Sequence, residues 1–138
     1  MSFRRLEKAD IPQLLLWFND PEIQRHLGGF DPPQKQFDMI LEQVHRSAYV
    51  WDKDGEMLAF AEIEWEEDWL NLLIIVKRNS RKQGLGKKLL FHLQSLKLAP
   101  YYHAYIDPNN KASIQCFKGA GFRFMEEEEA MEKWVWQA

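Results

Sequence analysis

The run Leu70-Asn71-Leu72-Leu73-Ile74-Ile75-Val76 is almost continuously apolar, and it leads directly into a basic, glycine-containing stretch. A strand apolar on both of its alternating faces must be covered on both sides, so it predicts a central strand of an α/β sheet. The stripe Leu85, Leu89, Leu90, Leu93 and Leu96 that follows has helical spacing, with Lys87, Lys88 and Gln94 turned away until Pro100 ends the helix. Strand, loop and helix therefore follow one another around a cationic turn.

With 138 residues, 46% of them apolar, the chain can bury one core, so residues 1–138 are expected to form a single domain. No uninterrupted apolar run reaches membrane-spanning length and no apolar signal follows Met1, which predicts a soluble, cytoplasmic protein without a membrane partner. One cysteine, Cys116, cannot close an internal disulfide, and the four histidines have no metal-ligand spacing. No metal is expected.

The net charge of −3 is unevenly placed. From Lys77 to Lys97 there are lysines and arginines at 77, 78, 81, 82, 87, 88 and 97 and no acidic residue. An otherwise acidic protein that keeps one cationic segment points to a local anion rather than to nucleic acid.

Around that segment the pattern predicts a first strand at Ser2 to Leu6. A helix capped by Asp10 should follow, ending near Asn19-Asp20-Pro21, then a short helix and a third from Phe37 to about Arg46. Ala48 to Trp51 and Met57 to Trp65 read as a hairpin about Asp52-Lys53-Asp54-Gly55, its second strand alternating apolar residues with Phe60, Glu62 and Glu64. Tyr101 to Ile106 predicts another strand, Asp107 to Asn110 a helix start, Gly119-Ala120-Gly121 its end, and Phe122 to Met125 and Lys133 to Trp136 two closing strands.

Arg81-Lys82-Gln83-Gly84-Leu85-Gly86 lies where a helix begins, so free backbone N–H groups and the positive helix end favour a phosphate there, with the glycines allowing close approach. The glycines are too close for a P-loop, and Leu89 stands where a dinucleotide fingerprint needs its third glycine. What remains, [QR]-x-x-G-x-[GA], resembles the coenzyme A pyrophosphate loop of the GNAT superfamily of N-acetyltransferases. A second segment, Asn110-Lys111-Ala112-Ser113-Ile114-Gln115-Cys116-Phe117-Lys118-Gly119-Ala120-Gly121-Phe122, is similar to that family's N-x-x-[AS]-I-x-x-[YF]-x-x-x-G-F. More loosely, Asp10 and Trp17 to Glu22 look like the branch containing ribosomal-protein N-terminal and aminoglycoside 6′-type acetyltransferases.

The resemblance implies a twisted mixed sheet of six or seven strands with helices on both faces, split between two central parallel strands, Leu70 to Val76 and Tyr101 to Ile106. It implies acetyl-CoA as cosubstrate. Backbone near Ile74 and Val76 would pair with the pantetheine arm, and Arg81, Lys82, Gln83, Gly84, Leu85, Gly86 and Lys87 would hold the pyrophosphate. Asn110 would reach the arm, and Ser113 and Phe117 would line the thioester end. Direct transfer to a primary amine, on a small molecule or a peptide, in a ternary complex is the expected reaction, by a monomer or homodimer.

The chain departs from the family in its proton-transfer groups. Phe117 stands where many members have a tyrosine that protonates the leaving thiolate, and Leu70, Asn71 and Tyr105 occupy positions that often bear a carboxylate base. Glu64 and Tyr105 are the candidate catalytic helpers, with Glu62 and His103 beside them, and positioning is expected to carry most of the rate. A non-catalytic acyl-CoA binder is the alternative reading.

Overall fold

A computed structural model describes residues 2–21, 23, 46–77 and 84–138. These form seven strands: β1 (Ser2–Arg5), β2 (Arg46–Lys53), β3 (Glu56–Glu66), β4 (Trp69–Val76), β5 (Tyr101–Ile106), β6 (Arg123–Glu128) and β7 (Met131–Gln137). Three α-helices accompany them among the described residues: α1 (Ile11–Phe18), α2 (Leu85–Ser95) and α3 (Lys111–Gly119). The expected helix beginning at Phe37 lies outside the described residues, and Arg46, its expected end, opens β2 instead.

All strands join one sheet in the order β1-β2-β3-β4-β5-β7-β6, antiparallel except for β4 beside β5. Alternation along the strands divides the core in two. Ala59, Ala61, Ile63, Leu70, Leu72, Tyr102 and Ala104 face α2 and α3, where Leu89, Leu90, Leu93 and Phe117 cover them. Phe60, Ile75 and Val50 face the other way, beneath Leu14, Trp17 and Phe18 of α1. The apolar run of β4 thus serves both layers, as a doubly covered strand must.

Burial changes the reading of β3. Its alternation implied a solvated glutamate face, yet everything from Met57 to Ile63 is buried, because α1 covers Phe60 and the Arg46 guanidinium meets Glu62 (3.5 Å) and Glu64 (3.4 Å) from β2. Glu62 is only 7% exposed. A carboxylate is tolerated at that depth when a cation is at hand.

Three helix details also differ from expectation. The Asp10 carboxylate does not cap α1: it accepts from the Glu7 N–H (2.8 Å) and from the Arg4 guanidinium (2.8 and 2.9 Å), which also reaches Asp52 (3.1 Å). This ties β1, β2 and the start of α1 together. Helix α2 stops at Ser95 rather than running to Pro100, and Leu96 is exposed, outside the apolar stripe. Gln94, expected to face solvent, is buried and donates to the Ala120 carbonyl (2.7 Å), satisfying the end of α3.

Candidate active site

Strands β4 and β5 are paired only at Trp69↔Tyr101, Leu70↔Tyr102 and Asn71↔His103. Each then stays with its other neighbour, β4 with β3 as far as Val76↔Ala59 and β5 with β7 as far as Ile106↔Glu132, so the sheet opens between them. The expected split is present. Leu72, Leu73, Ile74, Ala104, Tyr105 and Ile106 line the resulting cleft, closed from the helical side by Asp107, Asn110, Ser113 and Phe117.

Hydrogen-bond alternation decides which backbone groups face this cleft. Lys77 N–H donates to the Leu58 carbonyl (2.8 Å), so Ile75, Leu73 and Asn71 address β3 in turn. Leu72, Ile74 and Val76 therefore direct their N–H and C=O groups toward β5. At Ile74 no strand among the described residues answers them, which leaves the edge of a sheet open to an added extended ligand. Val76 has the same backbone direction, but its side chain packs toward Gly86 rather than into the cleft.

The helix that follows β4 begins at Gly84, whose φ of +73° is a left-handed conformation suited to glycine. Lys88 N–H makes the first intrahelical bond, to the Gly84 carbonyl (3.0 Å), so the amides of Leu85, Gly86 and Lys87 belong to the first turn, which has no intrahelical acceptor, and Gly84 at the N-cap has no side chain to offer one. Such a turn suits a phosphate. Arg81, Lys82 and Gln83 fall outside the described residues. Leu85 is a core side chain and offers only its backbone.

Gly86 has a further reason besides the one expected. A Cβ there would sit 2.9 Å from Cys116 Sγ and 3.5 Å from Val76 Cγ2, so the missing side chain lets α2 approach α3 and β4. Helix packing is thus one reason for glycine at this position. Lys87 lies along Gly119 of α3, where an added Cβ would meet its Cε at 3.2 Å.

On α3, Asn110 is the N-cap: its Oδ1 accepts from Ser113 N–H (3.2 Å), while Asn110, Ser113 and Phe117 all border the cleft. Phe117 is buried edge-on against Phe122 (4.9 Å) and brings no hydroxyl. Cys116, one residue before it, has its thiol pushed up to about 11, chiefly by burial. A thiol so rarely ionised is a poor nucleophile.

Of the two catalytic candidates, the cleft brings in only Tyr105. Its phenol is 37% exposed and donates to Glu128 Oε2 (3.3 Å); burial and the neighbouring glutamates raise its pKa, so it holds its proton. Glu64 stands on β3, directed to Arg46, and does not border the cleft.

Two polar residues the sequence reading undervalued stand where the ladder ends. Asn71 Oδ1 and His103 Nδ1 are buried and have no hydrogen-bond partner among the described residues, an arrangement that costs about 1–3 kcal/mol per group. The signal was present in part, since Asn71 is the one polar residue in an apolar run and must find a partner somewhere.

Comparison with known proteins agrees with this geometry. The chain is 25% identical over 127 residues to the uncharacterized N-acetyltransferase YfmK of Bacillus subtilis (strain 168), covering 87% of this chain and 83% of that one. A domain from Methanocaldococcus jannaschii has the same fold, with a TM-score of 0.87 at 15% identity, over 99% of this chain and 97% of its own. So has AAC(6′)-Ib, solved with paromomycin and acetyl-CoA, with a TM-score of 0.82 at 21% identity over 99% of this chain and 92% of its own. The acetyltransferase (GNAT) family pattern matches residues 11–122, from the start of α1, through the split strands and the α2 amides, to the end of the α3 segment. On that match, over most of its length, the chain belongs to the acetyltransferase (GNAT) family.

Proposed function

We propose that this acetyltransferase moves the acetyl group of acetyl-CoA directly to a primary amine held in the same complex. The observation that carries the reading is the unanswered backbone edge at Ile74, in a cleft that leads from the open first turn of α2. A ligand with a diphosphate at one end and an amide-bearing arm at the other matches both: the amides of Gly84 to Lys87 take the phosphates, and the arm adds itself to β4 as a strand would. Arg81, Lys82 and Gln83 supply charge and donors to the same phosphates in this reading. Asn110 and Ser113 border the arm, and Phe117 closes the thioester end. The crystallisation of AAC(6′)-Ib with acetyl-CoA and an aminoglycoside supports the pairing of these two substrates.

The chemistry requires a neutral amine, a polarised carbonyl and a leaving thiolate. Backbone N–H groups along β4 polarise the carbonyl. Tyr105 retains a proton and borders the cleft, so it suits protonation of the thiolate in place of the hydroxyl that Phe117 lacks. Glu64, directed to Arg46, contributes negative potential for a cationic acceptor rather than a direct contact. The half-buried, un-ionised Cys116 favours direct transfer over an acetyl-cysteine intermediate. Exposed glutamates on β6 and at the β3–β4 turn draw a cationic small molecule or peptide toward the same side.

Thermal shift followed by thiol release tests the proposal. Acetyl-CoA should stabilise the protein where ATP and NAD do not, and free thiol should appear with at least one of spermidine, kanamycin or a peptide with a free N-terminus. Stabilisation without thiol release would favour a non-catalytic acyl-CoA binder, the reading to which Phe117 lends weight. No stabilisation would defeat both.

A further inference from the structure

Asn71 and His103 are register partners, the last pair before β4 and β5 part. Each is one residue earlier than Leu72 and Ala104, which face α2 and α3, so their side chains project from the opposite face of the sheet. Leu73 and Tyr105, two residues further along the same face, border the cleft from that side. The two side chains therefore project from one face as neighbours at the vertex of the split.

Chain direction brings the reacting group to that vertex. The open amides of α2 follow the C-terminal end of β4, so an arm anchored there runs back past Ile74 toward Leu72, and its far end stops where the strands close. A buried acceptor is seldom left unpaired unless something outside the chain completes it. Here two are left, Asn71 Oδ1 and His103 Nδ1, beside the expected position of a thioester.

We infer that Asn71 and His103 seat the acceptor amine, and that His103 takes its proton during transfer. The inference rests on the transferase reading above. With the imidazole protonated on Nε2, Nδ1 offers a lone pair to one amine hydrogen, and Asn71 Oδ1 accepts another, which aims the nitrogen lone pair at the carbonyl carbon. The C–N bond forms and the C–S bond breaks; sulfur leaves with the bonding pair as thiolate. The proton lost by nitrogen goes to Nδ1, and from there to solvent.

The surroundings keep the imidazole neutral before attack. His103 is 5% exposed and stacked on Trp69 (5.1 Å). Burial lowers its pKa first and Lys133 of β7 second, while Glu66 of β3 and Glu128 of β6 oppose them. Other charged or titratable groups on this face among the described residues include Arg46 of β2, Glu62 and Glu64 of β3, Tyr101 and Tyr105 of β5, and Arg123 and Glu126 of β6. The acidic limb of the rate profile should accordingly lie below the ordinary histidine value.

The test compares wild type, His103→Gln and Asn71→Leu in thiol release from acetyl-CoA, using whichever of spermidine, kanamycin or the peptide reacts fastest, with acetyl-CoA affinity measured by calorimetry. His103→Gln should lower kcat about 100-fold or more and erase the acidic limb of kcat/KM. Asn71→Leu should raise the amine KM at least about tenfold and leave that limb in place. Both should bind acetyl-CoA nearly as wild type does. In the wild type with coenzyme A bound, adding the amine should move the His103 Nδ1 nitrogen resonance, a readout that needs no variant. An unmoved resonance, or a His103→Gln enzyme with kcat within threefold and its limb intact, overturns the inference while leaving the transferase reading standing. Absence of thiol release from wild type with all three amines overturns both.

Discussion

Replacing Gly86 by alanine measures how closely α2 must approach α3. The new Cβ would lie 2.9 Å from Cys116 Sγ and 3.5 Å from Val76 Cγ2, against a relaxed carbon contact of about 3.5–4.0 Å. Relief requires the helices to part by at least about 0.6 Å, or the cysteine to leave its rotamer. Overpacking of this kind costs about 1–3 kcal/mol, and alanine in place of glycine within a helix returns about 0.5–1 kcal/mol. The net loss should be up to about 2.5 kcal/mol, a fall in Tm of up to several degrees for a domain of this size. Cys116→Ala removes the sulfur that is struck. In that background Gly86→Ala should become neutral or mildly stabilising, giving a coupling of about 1–2 kcal/mol in a urea-unfolding double-mutant cycle. Because the Leu85, Gly86 and Lys87 amides ride on α2, acetyl-CoA affinity should fall in Gly86→Ala and recover in the double variant. A coupling below about 0.5 kcal/mol would refute the packing argument.

Other perturbations have equally definite outcomes. The Arg4 guanidinium holds the Asp10 carboxyl below the usual carboxylate range, so its stabilisation is complete above about pH 4 and is lost as pH falls through the lower folded value. Asp10→Asn should cost about 1 kcal/mol at pH 7 in chemical unfolding, and the gap from wild type should close in acid. Tyr102→Phe removes a buried hydroxyl that donates to the Leu93 carbonyl (2.6 Å) and accepts from Leu98 N–H (3.0 Å); a loss of about 1–3 kcal/mol is expected in the same assay. With its thiol pushed up to about 11, Cys116 should alkylate far more slowly than free cysteine near pH 8, and Cys116→Ala should retain turnover within about threefold. Tyr105→Phe should lower kcat more than it raises the amine KM, read from steady-state thiol release, if the phenol protonates the thiolate.

Local chemistry made much of the fold legible. The β5 strand was read with its observed limits, Tyr101–Ile106, because its ends are marked by Pro100 and by Asp107-Pro108. The Gly84 turn and the Asn110 cap were legible for the same reason: a left-handed glycine and an N-cap asparagine act over four residues. That Ser113 and Phe117 border the cleft was implied by the family resemblance, and their spacing of four puts them on one helical face.

Other features depended on partners distant in sequence. Gln94 reads as a solvent-facing helix residue until α3 brings the Ala120 carbonyl to it. Glu62 reads as solvated until Arg46 meets it from β2 and α1 covers the neighbouring Phe60. The packing of Gly86 against Cys116 is invisible until α3 lies behind it.

By itself the sequence determined that this chain has a doubly covered strand running into a glycine-started helix, a turn of the kind that suits a phosphate, because apolar periodicity and the free amides of a helix start are properties of contiguous residues. Only the tertiary structure decided that Asn71 and His103 are the last register pair before the split, that Asn71 Oδ1 and His103 Nδ1 find no hydrogen-bond partner among the described residues, and that Glu64, opposite Asn71 on β3, is directed to Arg46. Parallel strands are joined by a crossover, and their register is set by the packing of α2 against the sheet rather than by any local turn. Which side chains meet at the reacting centre is therefore a property of the assembled core.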